Sequence, residues 1–566
     1  MVRFALQVLA FAWVVWLASL SVVQAEAPPL TRPLVWLGVK SFQRLEQRVT
    51  ETAQLMQIPA MAPVVLGVLN LQWSGFQGLD RQRPIVMVMP ALVPVENPPL
   101  VLVLPYSHEP TLRSTLQRLF PQSTAQSDRL TFRGGFGQRV GRFDASDKVL
   151  LVARTPALLH GVEIDLPGNV FAAPEGEESG PDVVLRVDTS AAQTRYPAEW
   201  NAWLAEMMQG VGQARDKALA ASKTAAETDF VIFVYDVLER RQYQMLHDLD
   251  QVEIRITLAP GGWVASLETR WQAQSATAAW VNLQHHATAL APLFSQQQGI
   301  RMAASLRQSD AWQQDMQTLL SLAQRVVESH LEEDRHLTSE QRTAYRTAVH
   351  TGFDVAAHML TGPSVEVVAE IQSEQARGAD ITGWIGLPQS TKRLESLLNM
   401  VASVSSTAAE PVGLTRNVTH HHGTPLHRLS PATGETATQT PTAAPVSLFL
   451  AAEGSLLAWH VGPSPLRLVQ VLDRRRNHTQ TPVLARAKRL HLEGPISFWF
   501  DLLQYIQPDA SGGELGAAAQ LLRGVTAPMR LEVTPQPNAA TLRWVLPRPL
   551  LQGVAGVLRQ HIVQTL

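Results

Sequence analysis

Histidine is the residue type in this chain best able to hold a metal, and it is concentrated at His420-His421-His422, with His427 shortly after. Neutral imidazoles suit zinc, copper and nickel. Three consecutive residues of a β-strand, however, point to alternating faces. Strand geometry therefore predicts that His420, His421, His422 and His427 do not converge, and none is assigned as a metal ligand. A second group, His330 and His336 with Glu332-Glu333-Asp334 between them, lies on a predicted helix. Six residues apart is the wrong spacing for one helix face, so this run reads as a solvated charged surface, as does His285-His286. Asp80, Asp144, Asp147, Asp182 and Asp188 fall at predicted turns or strand edges. Aspartate is favoured there because its carboxylate bonds backbone N–H groups nearby.

Motif chemistry is otherwise missing. The sequence has no Gly-x-Ser-x-Gly, no phosphate-loop string and no His-Glu-x-x-His. Gly135-Phe136-Gly137 lacks the strand–helix context of a dinucleotide fingerprint and reads as a hairpin turn. With no cysteine, disulfides, thiol nucleophiles and Cys-based zinc sites are excluded. No catalytic, cofactor-binding or metal-binding residue is assigned, no cofactor is implied, and the balance leans away from an enzyme.

The elements that would position such residues are more legible. The 566 residues are 45% hydrophobic and 17% charged, with a formal net charge of -2. That composition is far from a disordered chain and offers no global basic field for nucleic acid. Residues 1–25 have the order of a secretory signal peptide: Arg3, an apolar run to Val23, then Val23-Gln24-Ala25 as a small-residue cleavage site. The apolar run is long enough that an uncleaved anchor is the alternative. The expected location is the periplasm or cell envelope.

Repeats organise the rest. Residues 252–283 match 529–558, each a strand, a turn, a strand and a helix, with Ile256 placed on Leu531 and Leu267 on Leu542. In the same order, 34–55 match 302–322, 100–120 match 381–400, 132–143 match 418–429 through Gly137 and Gly423, 149–159 match 456–468, and 183–189 match 490–497. The matched Thr155-Pro156 and Ser464-Pro465 each place a capping hydroxyl before a proline, a helix-start signal. Unit A is assigned to 30–298 and unit B to 299–566. Unit A carries a helical stretch over 198–251 in which Trp200, Trp203, Leu204, Met207 and Met208 recur at helical spacing; unit B carries a helical insert at 324–360 and a low-complexity loop at 430–445. Tight turns between strands require antiparallel neighbours. The expected fold is α+β: two tandem copies of a mostly antiparallel curved sheet with helices packed on one face.

Gly78-Leu79-Asp80-Arg81-Gln82-Arg83-Pro84, the strand–proline–cap–helix at Pro105, the turn at Gly137 and the strand-into-helix over 150–159 together resemble a group of exported bacterial proteins of unknown function. The likeness spans most of the chain after the signal segment. It implies an envelope location and α+β repeats, and supplies no catalytic residues. The functional expectation is a non-enzymatic exported envelope or periplasmic protein that binds an apolar ligand or a protein partner, with a lipid or an envelope protein as the candidates and no nucleic acid. The alternatives are a structural subunit of an envelope assembly and a hydrolase with an acid/base pair between the units.

Overall fold

The computed structural model describes residues 33–55, 59, 62–63, 77–89, 100–126, 128–134, 137–159, 170–172, 180–259, 261–284, 300–374, 378–407, 412–430, 446–478, 496–500 and 529–552. Residues 1–25, read above as a signal peptide, His285-His286, Gly135-Phe136 and nearly all of the 430–445 loop lie outside them.

The fold is α+β and its strands repeat in order. The first half contributes β1 (Val35–Val39), β2 (Ile85–Met89), β3 (Val101–Pro105), β4 (Thr124–Gln126), β5 (Arg129–Gly134), β6 (Gly137–Asp144), β7 (Val149–Ala153), β8 (Val183–Asp188), β9 (Leu249–Ala259) and β10 (Gly262–Trp271). The second contributes β11 (Ile300–Arg307), β12 (Ser364–Glu374), β13 (Gly378–Gly386), β14 (Gly413–His421), β15 (Thr424–Ser430), β16 (Ser447–Glu453), β17 (Leu456–Gly462), β18 (Ile496–Phe500), β19 (Met529–Gln536) and β20 (Ala539–Pro547). Tracing the pairings gives β4-β5-β6-β7-β3-β2-β1-β8-β9-β10 and then, across a β10–β20 pair, β20-β19-β18-β11-β12-β13-β17-β16-β15-β14. Every pair is antiparallel. Read outward from the centre, the two halves have the same strand order, and they join into one continuous sheet.

This order corrects two of the sequence matches. β14 and β15 occupy the place of β4 and β5, so 418–429 corresponds to the hairpin before 132–143 rather than to it. Alternation plus a glycine turn describes many hairpins equally well, and nothing in that pattern fixes which hairpin is which. The place of β8 is taken by Ile496–Phe500, displaced from the 490–497 match. At the centre, Ala259–Gly262 and Gln536–Ala539 close equivalent two-residue turns. Turn equivalence sets Ile256 on Val533 and Leu267 on Trp544, two residues from the sequence match. An even shift leaves every side chain on its expected face.

The helices are α1 (Phe42–Leu55), α2 (Glu109–Leu119), α3 (Thr189–Arg195), α4 (Pro197–Ala221), α5 (Ala225–His247), α6 (Ala276–Leu283), α7 (Asp310–Glu333), α8 (Ser339–Leu360), α9 (Ser390–Thr407) and α10 (Leu466–His478). α7 runs unbroken through residue 324, where the insert was expected to begin. Capping boxes at Thr224 and Thr338 fix the starts of α5 and α8.

Alternation along each strand shows which face each helix covers. Leu34, Val35, Met89 and Leu185 pack with Ala192, Trp200 and Leu204 of α3 and α4, while Leu104 and Leu150 pack with Leu112 and Leu116 of α2. In the second half Leu450, Ala452 and Leu457 meet Val355, Leu394 and Leu398 of α8 and α9. These helices share one face. The other face is covered at its flanks as well: by the 3₁₀ turn Pro156–Leu159 with Val170 and Phe171 in the first half, and by Leu468, Val471 and Leu472 of α10 in the second. Buried Trp200, Leu204 and Met208 give the aromatic and Met stripe of α4 a packing role.

Candidate functional site

The central strands differ from the flanks on both faces. On the helix-bearing face the register sets Ile256, Ala265, Trp544 and Leu531 in one transverse row, which continues across β18 to Met302. The next row holds Ile254, Leu267, Leu542, Val533, Ile496 and Ala304. Directly opposed apolar residues on one face form a continuous strip. The strip is partly open: Trp544 is 45% exposed and Met302 38%, while Ile254 packs against the α3–α4 cluster. Beside it, α6 buries Ala278 and Val281 against Val252 and Ala540 and leaves Trp280 and Leu283 exposed. Gly262, at φ +146, lets the β9–β10 turn close against β20, since a Cβ there would lie 2.4 Å from the Leu546 carbonyl oxygen.

The opposite face of the same strands is charged. Arg186 of β8 stands opposite Glu253 of β9, and Glu253 opposite Glu268 of β10. Opposed like charges are unfavourable, and Arg255 offsets this by pairing with both carboxylates. Arg270 binds Glu268 at 2.8 Å. Across the centre Arg543 faces Glu532, and farther out Arg301 pairs with Glu370 at 3.3 Å, with Arg474 of α10 at 3.6 Å from the same carboxylate. The carboxylates are sealed, with Glu253 1% and Glu370 3% exposed. Burial lowers the Arg530 guanidinium below its ordinary value, opposed by Glu532 and reinforced by Arg543.

The histidines divide between the faces of β14 and β15. Thr419 pairs with Leu426, and His421 with Thr424, which sets His421 on the α10 side with Leu426. His420 and His427 take the other side, with Leu450 opposite His427. Alternation thus separates His420 from His421 as expected. It does not separate His421 from His422, because His422 is in the turn: His422 has φ 49 and Gly423 φ 86, the two positive values of a type I′ connection. Their rings meet edge-on with centroids 4.4 Å apart. Asp473 of α10 lies 2.6 Å from His421 Nε2 and 3.6 Å from His422 Nε2.

Burial pushes the His427 imidazole below its ordinary value, aided by Arg416 and His420 and opposed by Glu395. His460 is fully buried on β17, with Nδ1 2.8 Å from the Thr382 hydroxyl. Burial lowers its pKa as well, with Asp380 opposing. His330 pairs with Glu227 at 2.8 Å across the α5–α7 contact and is half-exposed, as a charged surface would be. Three aspartates make turn or cap bonds: Asp80 to the Gln82 N–H, Asp188 to the Ala191 N–H, and Asp144 to Ser146 and the Asp147 N–H. The Ser146 hydroxyl, then those backbone bonds, hold the Asp144 carboxyl below its ordinary value against desolvation. Asp182 instead ties α1 to the sheet through Arg44 and Arg48 and accepts from the Leu258 N–H. Sequence reasoning passed over the central charges and Asp473. Val252-Glu253-Ile254-Arg255-Ile256 and Arg530-Leu531-Glu532-Val533 carried a signal in their strict alternation of charge with apolar residue.

Among the described residues no helix is long and apolar enough to cross a membrane. No family model, no curated protein and no solved structure matches the chain. What the fold and site define is therefore a class by architecture: an α+β protein whose duplicated halves share one antiparallel sheet with an open apolar strip at its centre.

Proposed function

We propose that the protein is a non-enzymatic binding protein of the cell envelope that holds an elongated apolar ligand, such as a lipid acyl chain, along the central strip. The observation that carries this reading is the exposure of Trp544 and Met302 on an otherwise apolar row. Exposed apolar side chains on a rigid sheet represent transfer free energy still to be gained, at about 25 cal/mol per Å² covered. From Ala265 to Met302 the row crosses four strand spacings, about 19 Å, a length suited to an extended chain. Trp280 and Leu283 add exposed apolar surface on α6, which packs on the sheet beside the strip. Export rests on the order of charges and apolar residues in 1–25, and the envelope location agrees with the resemblance drawn from Gly78–Pro84 and the motifs that follow it.

Native mass spectrometry of the protein purified gently from its own envelope, with solvent extraction of anything retained, tests the reading. The expected result is one apolar mass per chain, and rebinding of palmitic acid by the stripped protein that weakens several-fold in Trp544→Ala. A bare chain that takes up no palmitic acid removes the proposal. Co-purification of a second protein in place of a small molecule would move the structural-subunit alternative ahead.

A further inference from the structure

We infer that His421, His422 and Asp473 form a binding site for a divalent transition-metal ion of the zinc type, apart from the central strip. Two imidazole nitrogens and one carboxylate oxygen all lie within 4.8 Å of one another. Bonds of about 2.0–2.1 Å to a tetrahedral zinc place its ligand atoms about 3.3–3.4 Å apart. The His422–Asp473 separation of 3.6 Å is already close to that, and the His421–Asp473 contact at 2.6 Å has to open by less than 1 Å. Nitrogen-rich sites of this composition select zinc, cobalt, nickel or copper over calcium and magnesium, which want oxygen ligands. His422 is 62% and Asp473 41% exposed at the side chain, so an ion held here keeps its remaining positions open to water.

The site is built rather than incidental. Positive φ at His422 and Gly423 is what turns the second imidazole beside the first. One helical turn beyond Asp473 lies Arg476, which donates to the His422 carbonyl oxygen at 3.3 Å, the Thr424 hydroxyl at 3.2 Å and Glu453 at 3.0 Å. That guanidinium fastens the turn to α10, so the backbone that carries both imidazoles is held against the helix that carries Asp473. A hydrogen bond anchoring the hairpin would need only His421 and Asp473. The second imidazole, delivered by a left-handed residue, is the feature that anchoring leaves unexplained.

The test is titration of the full chain with Zn²⁺ by calorimetry and with Co²⁺ by visible absorption. The expected outcome is one ion per chain, with affinity at least tenfold weaker in His422→Ala and in Asp473→Asn and unchanged in His420→Ala. His422 has a positive φ that glycine accepts without strain, so His422→Gly, which removes the imidazole and keeps the turn, is expected to weaken binding equally and decides even if His422→Ala or Asp473→Asn folds poorly. Absence of saturable binding overturns the site. So does binding that Asp473→Asn leaves untouched, which would assign the ion to the histidine tract alone. Neither result bears on the apolar strip.

Discussion

The flanks and the centre of this sheet follow different rules. In the inner flank strands both faces are apolar and both are covered, as at β17, where Ala458 packs under α10 and Leu457 under α9. In the centre one face is apolar and left partly open, and the other is charged and largely sealed. Burying both faces maximises the area removed from water, and so the stability. The centre forgoes part of that gain on one face and pays desolvation on the other, offset by close pairing. The difference separates regions that hold the molecule together from a region that keeps surface available.

Substitutions break this comparison in a fixed order of size. Trp384, fully buried beneath α10, is expected to cost about 3–5 kcal/mol as Trp384→Ala, read from the chemical-denaturation midpoint. Glu253→Gln leaves Arg186 and Arg255 without their shared carboxylate. Both arginines are about a third exposed at the side chain, so the loss should be about 2–3 kcal/mol, below the usual figure for a fully buried pair. A loss as large as that of Trp384→Ala would mean the charged face is as dry as the flank.

Acid should act through the second-half flank. His427 and His460 have folded pKa values below those of the unfolded chain, so the unfolded state takes up protons first. Their contribution is intact above the ordinary histidine value, about 6.5, and is lost as pH falls below it, by at most about 1.4 kcal/mol per pH unit for each ring. Urea midpoints at pH 7.5 and 5.5 measure this, and His460→Gln should flatten the difference. The smallest effect belongs to Trp544→Ala, expected within about 1 kcal/mol of wild type in the same assay. A loss like that of Trp384 would show that Trp544 is part of the core and would remove the basis of the binding proposal.

Much of this architecture was legible because local signals agreed with one another. Strand alternation, turn glycines and capping hydroxyls recur in both halves, and the α+β class with tandem copies follows from them. What failed was identity among similar pieces. The hairpin at 418–429 looks like 132–143 because both alternate and turn on glycine, and only partner strands distinguish them. Thr155-Pro156 and Ser464-Pro465 promise the same helix, yet the first opens a four-residue 3₁₀ turn and the second a 13-residue helix. For the histidines, alternation correctly divided His420 from His421 but was carried one residue too far. The strand ends at His421, and backbone sign at His422 and Gly423 then decides where the ring goes. Asp473 is distant in sequence and had no local reason to be grouped with them. The charged face was hidden for a related cause, since an alternating strand is written the same way whether its polar side meets water or other charges.

The β10–β20 pair also sets an order of assembly. β10 can close its hairpin with β9 locally, whereas the partner of its other edge, Ala539–Pro547, lies about 270 residues farther along the chain. Until that distant strand arrives, a long unpaired edge is available to any neighbouring strand. The same edge explains why half a molecule would not stay single. Two copies of the first half present β10 to each other in the antiparallel sense that β20 now satisfies, so a separated half is set to dimerise through it. The duplicated chain carries its own second copy, and what would otherwise be an encounter between molecules becomes a closure within one.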